Sequence, residues 1–70
     1  MSKKELTFTV YLIHQLAEAW GIAPYEVYSV LDKGKIITDY IIPSYDVLHS
    51  MGSKYLIDDI SNMAHERGLR

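Results

Sequence analysis

A proline in the middle of a helix-like stretch constrains this chain more than any other feature. Residues 38–52 read TDYIIPSYDVLHSMG, with Pro43 near the centre. Proline removes a backbone donor, and its ring clashes with the preceding turn, so one unbroken helix does not run through it. Ile42, immediately before it, is pushed toward an extended conformation. The stretch is therefore expected to form a short helical turn at Thr38–Ile42, a break, and a second short helix starting at or just after Pro43. Asp39, Tyr40, Tyr45, Asp46 and His49 all fall within it.

On either side the pattern is helical. From Lys4 to Trp20, Leu6, Val10, Ile13, Ala17 and Trp20 recur at steps of three and four, with Leu16 widening the stripe. Phe8 and Leu12 form a second apolar pair, about a third of a turn away. The helix is thus apolar over more than half its circumference, and it is either central to the fold or partly turned to a partner. Gly21 is the expected stop, because glycine takes the left-handed C′ conformation without steric penalty. Pro24 opens a second helix, where its missing donor is not needed. Val27, Val30 and Leu31 give that helix its buried face, with Tyr28 beside them; Lys33 lies in the last turn and Gly34 ends it. Lys35–Ile37 reads as a connector, extended in the simplest reading. Thr38 is the expected N-cap of the next turn, with Asp39 near its positive end. Ser53 is the expected N-cap of a final helix over Lys54–Glu66, with a stripe of Leu56, Ile60 and Met63 flanked by Ile57 and Ala64. Gly68 would cap it, and Leu69–Arg70 would fray.

The expected architecture is one all-α domain over residues 1–70, a small bundle of three longer helices with one or two short helices around the proline break. A chain of 70 residues buries only about 60% of its unfolded surface. Without cysteine, neither disulfides nor thiolate metal sites can staple it. The absence of cysteine fits a reducing cytoplasm. Apolar residues make up 49% of the chain, which argues against disorder. The net charge of −2, with no basic run, is a poor footprint for nucleic acid. No apolar run approaches the roughly 20 residues of a membrane span, and no secretory signal is visible.

Residues that could carry chemistry have plain structural readings beside them. His14 and Glu18 can meet across one helical turn, as ordinary surface pairs do. His49 stands near Tyr40, Tyr45 and Asp46, and a His–Asp pair could tune a general base, yet no nucleophile has a recognisable setting. Asp58, Asp59, Asn62 and His65 offer donors that metals accept, but at no established metal spacing. The four glycines are scattered at helix ends and form no phosphate loop. No catalytic, cofactor or metal site is assigned, and an enzyme is the least favoured reading. The six tyrosines weigh more. Tyrosine combines large apolar area with a polar tip, which suits half-buried core positions and interfaces alike. Tyr28, Tyr40 and Tyr45 are expected over a thin core.

The run DYIIPSYDVLHSMG followed by KYLIDDI, together with Trp20-Gly21-Ile22 and EVYSVL, resembles a family of short bacterial proteins of unknown function. The signature carried over is Asp39, Tyr40, Ile42, Pro43, Tyr45, Asp46, Leu48 and His49. Members of that family are often encoded beside a larger protein resembling an ADP-ribosyltransferase-like toxin. The resemblance implies an antitoxin-like partner role and carries over no agreed activity or catalytic residues.

The function expected from the sequence is therefore a protein-binding module, an antitoxin-like or adaptor subunit of the cytoplasm. Tyr40, Tyr45 and His49 are its candidate partner-binding residues, while Ile41, Val47 and Leu48 turn inward. An ADP-ribosyltransferase-like toxin is the implied partner, homo-oligomerisation stays open, and no cofactor is expected. The alternative is a small regulatory domain associated with DNA, because GIAPYEVYSVLDKG has a helix-turn-helix flavour. Its would-be recognition helix offers Glu26, Ser29, Asp32 and Lys33, a weak set for phosphate contact.

Overall fold

The glycines and prolines that punctuate the sequence mark most of the boundaries in the computed structural model, which describes all residues from Met1 to Arg70. The chain is all-α. Helix α1 spans Lys3–Trp20 and α2 spans Pro24–Lys33; a π-helical turn covers Ile37–Ile41, α3 covers Tyr45–Leu48, and α4 spans Ser53–Glu66. No helix is long and apolar enough to cross a membrane.

Helix α1 starts on a reciprocal cap. The Glu5 N–H donates to Ser2 Oγ at 3.1 Å, and the Ser2 N–H donates to Glu5 Oε1 at 2.8 Å, so two free donors of the first turn are satisfied. The helix ends where Gly21 turns left-handed at φ 69° and its N–H reaches the Ala17 carbonyl. In α2, Pro24 takes the first position, and Glu26 reaches back to the Ala23 N–H at 3.2 Å.

The core lies along α1 on only part of the expected stripe: Leu16 and Ala17 are buried as expected, but Leu6 and Val10 are not. Leu12 and Leu16 are fully buried and Thr9 is 4% exposed, whereas Leu6 is 53% and Val10 43% exposed. Ile13 and Trp20 are half-buried against the core. With roughly 100° between residues, the apolar side chains of α1 cover an arc of about 200° from Phe8 round to Val10. The fold buries the middle of that arc and leaves both shoulders at the surface. Thr9 sits near the centre because its hydroxyl donates to the Glu5 carbonyl at 2.7 Å, which satisfies it within the helix. Its methyl group is then free to pack. Helices α2 and α4 both pack on α1. Val27 and Leu31 bury from α2 and Leu56 and Ile60 from α4, as their spacing predicted, whereas Val30 and Met63 of the expected faces are only half-buried and the flanking Ala64 is fully buried.

The connector before the central stretch is not extended. Ile36 is helical at φ −68° and ψ −36°, and Ile36 and Ile37 both enter the core. The left-handed position here is Lys35, at φ 54°, and not Gly34. A Cβ at Gly34 would meet Leu69 Cδ1, the end of a flexible side chain that would have to shift. Thr38 lies inside the π-helical turn rather than capping it, its hydroxyl donating to the Lys35 carbonyl at 3.4 Å. Neither Asp39 nor Asp46 caps its short helix.

Ile42 is helical at φ −68° and ψ −51°, contrary to the extended conformation expected before proline. It closes the π-helical turn: the Ile42 N–H donates to the Ile37 carbonyl at 3.0 Å, a bond spanning five residues. The chain then passes Pro43 through a further turn, in which the Ser44 N–H reaches the Tyr40 carbonyl at 3.0 Å. Ile41 and Leu48 are buried as expected, but Val47 is 57% exposed. Helix α3 is a single turn and presents only its Leu48 side inward.

Ser53 is the first residue of α4, not its cap; Gly52 stands at the cap position without a side-chain bond. The final residues are docked and do not fray. Arg67 donates to the Gly34 carbonyl at 2.6 Å, Leu69 packs on the core, and the Arg70 guanidinium lies 4.5 Å from the Trp20 ring centre. The Trp20 ring is also anchored through its N–H to Ser61 Oγ at 2.7 Å.

Removing a buried leucine loses its transfer free energy and leaves a cavity. Leu12→Ala is expected to destabilise the protein by roughly 2–5 kcal/mol, and Leu6→Ala by no more than about 0.5 kcal/mol. Chemical-denaturation midpoints of the two variants check this, and equal losses would put the buried face of α1 elsewhere.

Candidate functional site

Of the three residues singled out from the sequence, the fold brings two together. In the single turn of α3, Tyr45 and His49 are four residues apart and stack face to face, with ring centres 4.6 Å apart and planes within 7°. His49 is fixed a second way, by the 2.8 Å contact between Nδ1 and the Tyr45 carbonyl. The Tyr45 ring in turn meets Phe8 of α1 edge-on, at 5.5 Å and 82°. Phe8 lies against Tyr11 at 6.5 Å and 25°. The Tyr11 hydroxyl is bonded to Ser53 Oγ at the start of α4. Four rings from two segments thus form one continuous patch, tied to α4 through Ser53. Phe8 and Tyr45 are half-buried, and Tyr11 and His49 are exposed. Edge-to-face and offset-stacked rings favour each other by about 0.5–1.5 kcal/mol beyond their buried area. The patch is the Phe8 shoulder of α1's apolar arc, extended by α3. A groove runs beside it, lined by Lys3, Lys4, Thr7, Phe8, Tyr11 and Tyr45.

Tyr40 does something else. Its side chain turns to α4, where the hydroxyl donates to the Asp59 carboxylate. That bond, followed by burial and the negative charge of Asp59, raises the phenol from its usual 10.0 to about 12. The neutral phenol is the donor, so the folded protein resists its ionisation.

The remaining candidates separate. His14 Nδ1 lies 2.9 Å from the Val10 carbonyl rather than meeting Glu18. Asp58 pairs with Lys54 at 3.2 Å while Asp59 serves Tyr40, so the two neighbouring carboxylates point to different partners. No cluster of three or more His, Asp or Glu side chains is assembled anywhere that could hold a metal ion. The other shoulder of α1 borders a second groove, between α1 and α2, lined mainly by Met1, Leu6, Val10, Ile13, Tyr28 and Ile37. Tyr28, expected over the core, is 52% exposed there.

The family described as "Protein of unknown function (DUF3791)" matches residues 7–67. The chain belongs to that family. The match takes in nearly all of the aromatic patch, the π-helical turn and α4. No curated protein and no solved structure matches the chain. The family's description names no activity, which leaves it to be argued from the site.

Phe8 and Tyr11, with Lys3 and Lys4, were not among the residues singled out. The spacing of Phe8 and Tyr11 by three places them on one side of α1, which the sequence displays. Their meeting with Tyr45, distant in the chain, is a tertiary contact with no local signal.

The Tyr40–Asp59 bond makes a pH-dependent prediction. Below pH 10 the phenol is protonated in both the folded and unfolded states, and the bond contributes in full. Between pH 10 and about 12 the unfolded chain loses its proton first, so the contribution falls, and it is gone above that range. The stability difference between the parent and Tyr40→Phe should therefore be constant from pH 7 to 9 and shrink toward pH 12. Urea titrations of both proteins across this range measure it, and a difference that grows with pH would contradict the bond.

Proposed function

We propose that this protein is a binding module that acts by contact with another protein, as an antitoxin-like or adaptor subunit, and that the patch of Phe8, Tyr11, Tyr45 and His49 is its contact surface. One observation supports the reading above the rest: four rings are held by one another at the surface of a small domain, where the core does not require them all. Aromatic side chains are enriched at interfaces and among the residues that dominate binding energy. Rings fixed before binding lose little freedom on association, so more of the contact energy appears as affinity. The stack of Tyr45 on His49 and the bond of Tyr11 to Ser53 supply that fixing.

The signature noted in the sequence fits the same reading. Tyr45 and His49 belong to it and form the α3 end of the patch, with His49 exposed and Tyr45 half-buried. Ile42, Pro43 and Leu48 belong to it as well, and they set the turn that carries α3. The ADP-ribosyltransferase-like neighbour implied by the resemblance is the partner this proposal would place on the patch, in a bacterial cytoplasm. Tyr40, half-buried and bonded to Asp59, acts in this reading through folding and from the rim of the contact.

Single substitutions separate contact from folding. Tyr11→Ala and His49→Ala remove exposed rings and should leave the melting temperature within a few degrees of the parent. Each is expected to weaken capture of the partner recovered from the host, by roughly 2 kcal/mol for whichever lies at the centre of the interface. Tyr40→Ala is the comparison, losing stability and binding together. If Tyr11→Ala and His49→Ala bind the partner as the parent does, the contact lies elsewhere.

A further inference from the structure

The groove beside the aromatic patch has a charge character opposite to that of the chain. The protein carries nine acidic and seven basic residues, a net charge of −2. Yet the only charged side chains lining this groove are Lys3 and Lys4. Neither has an acidic partner, because the one ion pair in the structure joins Lys54 to Asp58. Glu5, the nearest acid in α1, is turned back to the Ser2 N–H. Arg67 and Arg70 are engaged at the far end of α1, on the Gly34 carbonyl and on Trp20. Two free cations thus border one face of a ring patch, and no carboxylate lines the groove between them.

We propose that this groove takes an acidic segment of a partner protein, one that sets an aromatic or large apolar side chain on the Phe8–Tyr11–Tyr45 surface and its carboxylates beside Lys3 and Lys4. The inference deepens the protein-binding reading and rests on it. Charge complementarity selects the sign of the occupant. The form of the groove selects a segment over a small molecule. A small-molecule pocket encloses most of its ligand, about 70–90% of the surface. This groove instead lies open along the side of α1, with the lysines in the first turn of the helix and the rings of Phe8 and Tyr11 one to two turns further on. The aromatic surface would anchor the segment and the lysines would fix its direction.

The test is a titration of the full chain, followed by NMR, with two short synthetic peptides. One carries a single tryptophan flanked by Glu and Asp; the other has the same sequence with every acid replaced by Lys. The acidic peptide should produce saturable shifts at Phe8, Tyr11, Tyr45 and His49, and the basic one none. Raising the salt to 1 M, where screening acts beyond about 3 Å, should weaken the binding. The double variant Lys3→Glu/Lys4→Glu should weaken it at least about tenfold. That variant is expected to fold as well as the parent, since acidic side chains are favoured in the first turn of a helix. Equal shifts with both peptides, or unchanged affinity in the double variant, would overturn the inference. So would shifts at these residues caused by adenosine monophosphate and not by the peptide, or by concentrating the chain alone, which would make the occupant a small anion or a second copy. The two readings fail separately. If Tyr11→Ala and His49→Ala abolish capture of the host partner but Lys3→Glu/Lys4→Glu does not, the patch is the interface and its occupant is not acidic. If all of them leave capture intact, the protein-binding reading of this face fails first.

Discussion

Burial along the Thr9–Leu12–Leu16 line of α1 is the contact on which the rest of the structure depends. Each fully buried leucine contributes about 1.5–3 kcal/mol by leaving water. Helices α2 and α4 both pack against α1, and Tyr45, Ser53 and Ser61 all make their contacts through it. A helix with an apolar arc of about 200° offers more surface than two neighbours can cover. The helices that pack on α1 leave the remainder of it uncovered, with Leu6, Val10 and Tyr11 exposed. The two shoulders of the arc, Phe8 with Tyr11 on one side and Leu6 with Val10 on the other, stay accessible for that reason. The aromatic shoulder differs from the aliphatic one in being held: its rings are stacked and hydrogen-bonded to α3 and α4.

The π-helical turn at Ile37–Ile41 decides where α3 stands. A regular α-turn before Pro43 would bring a carbonyl against the proline ring. The chain meets Pro43 instead through a bond over five residues, with Ile42 still helical. Ile36, Ile37 and Ile41 meanwhile stay in the core, so the turn is fixed by burial on one side and by Pro43 on the other. Tyr40 projects from the same turn to Asp59, which ties it to α4. Helix α3 begins directly after this arrangement, and the direction of Tyr45 and His49 follows from it.

Much of the fold was legible in the sequence because glycine and proline act locally. Gly21, Pro24 and Pro43 set boundaries through their own backbone limits, and α2 and α4 bury most of the residues their spacing predicts, with Val30 and Met63 left half-buried. Part of the stripe on α1 was misplaced for a physical reason. Apolar residues populate more than half the helix, and the true centre includes Thr9, a polar residue by type that satisfies its hydroxyl on the Glu5 carbonyl. The helical Ile42 was hidden because a five-residue hydrogen bond has no sequence mark. The docked tail depends on Leu69 meeting Gly34 and Arg70 meeting Trp20, contacts between distant parts of the chain. The candidate site was half legible. Tyr45 and His49 stood out by type and spacing, whereas their continuation onto Phe8 and Tyr11 required the packing of α3 on α1.

The central claim is that the middle of the α1 arc is buried while its aromatic shoulder is locked to α3 at the surface. Nuclear Overhauser contacts between aromatic side chains measure this directly in solution. The account predicts cross-peaks from the Phe8 ring to Tyr45 and from Tyr45 to His49, with Leu12 and Leu16 methyls in contact with α2 or α4 and Leu6 and Val10 methyls free of contacts to α4. Missing Phe8–Tyr45 cross-peaks, or strong contacts from Leu6 and Val10 into α4, would show that α1 presents a different face and would contradict the account.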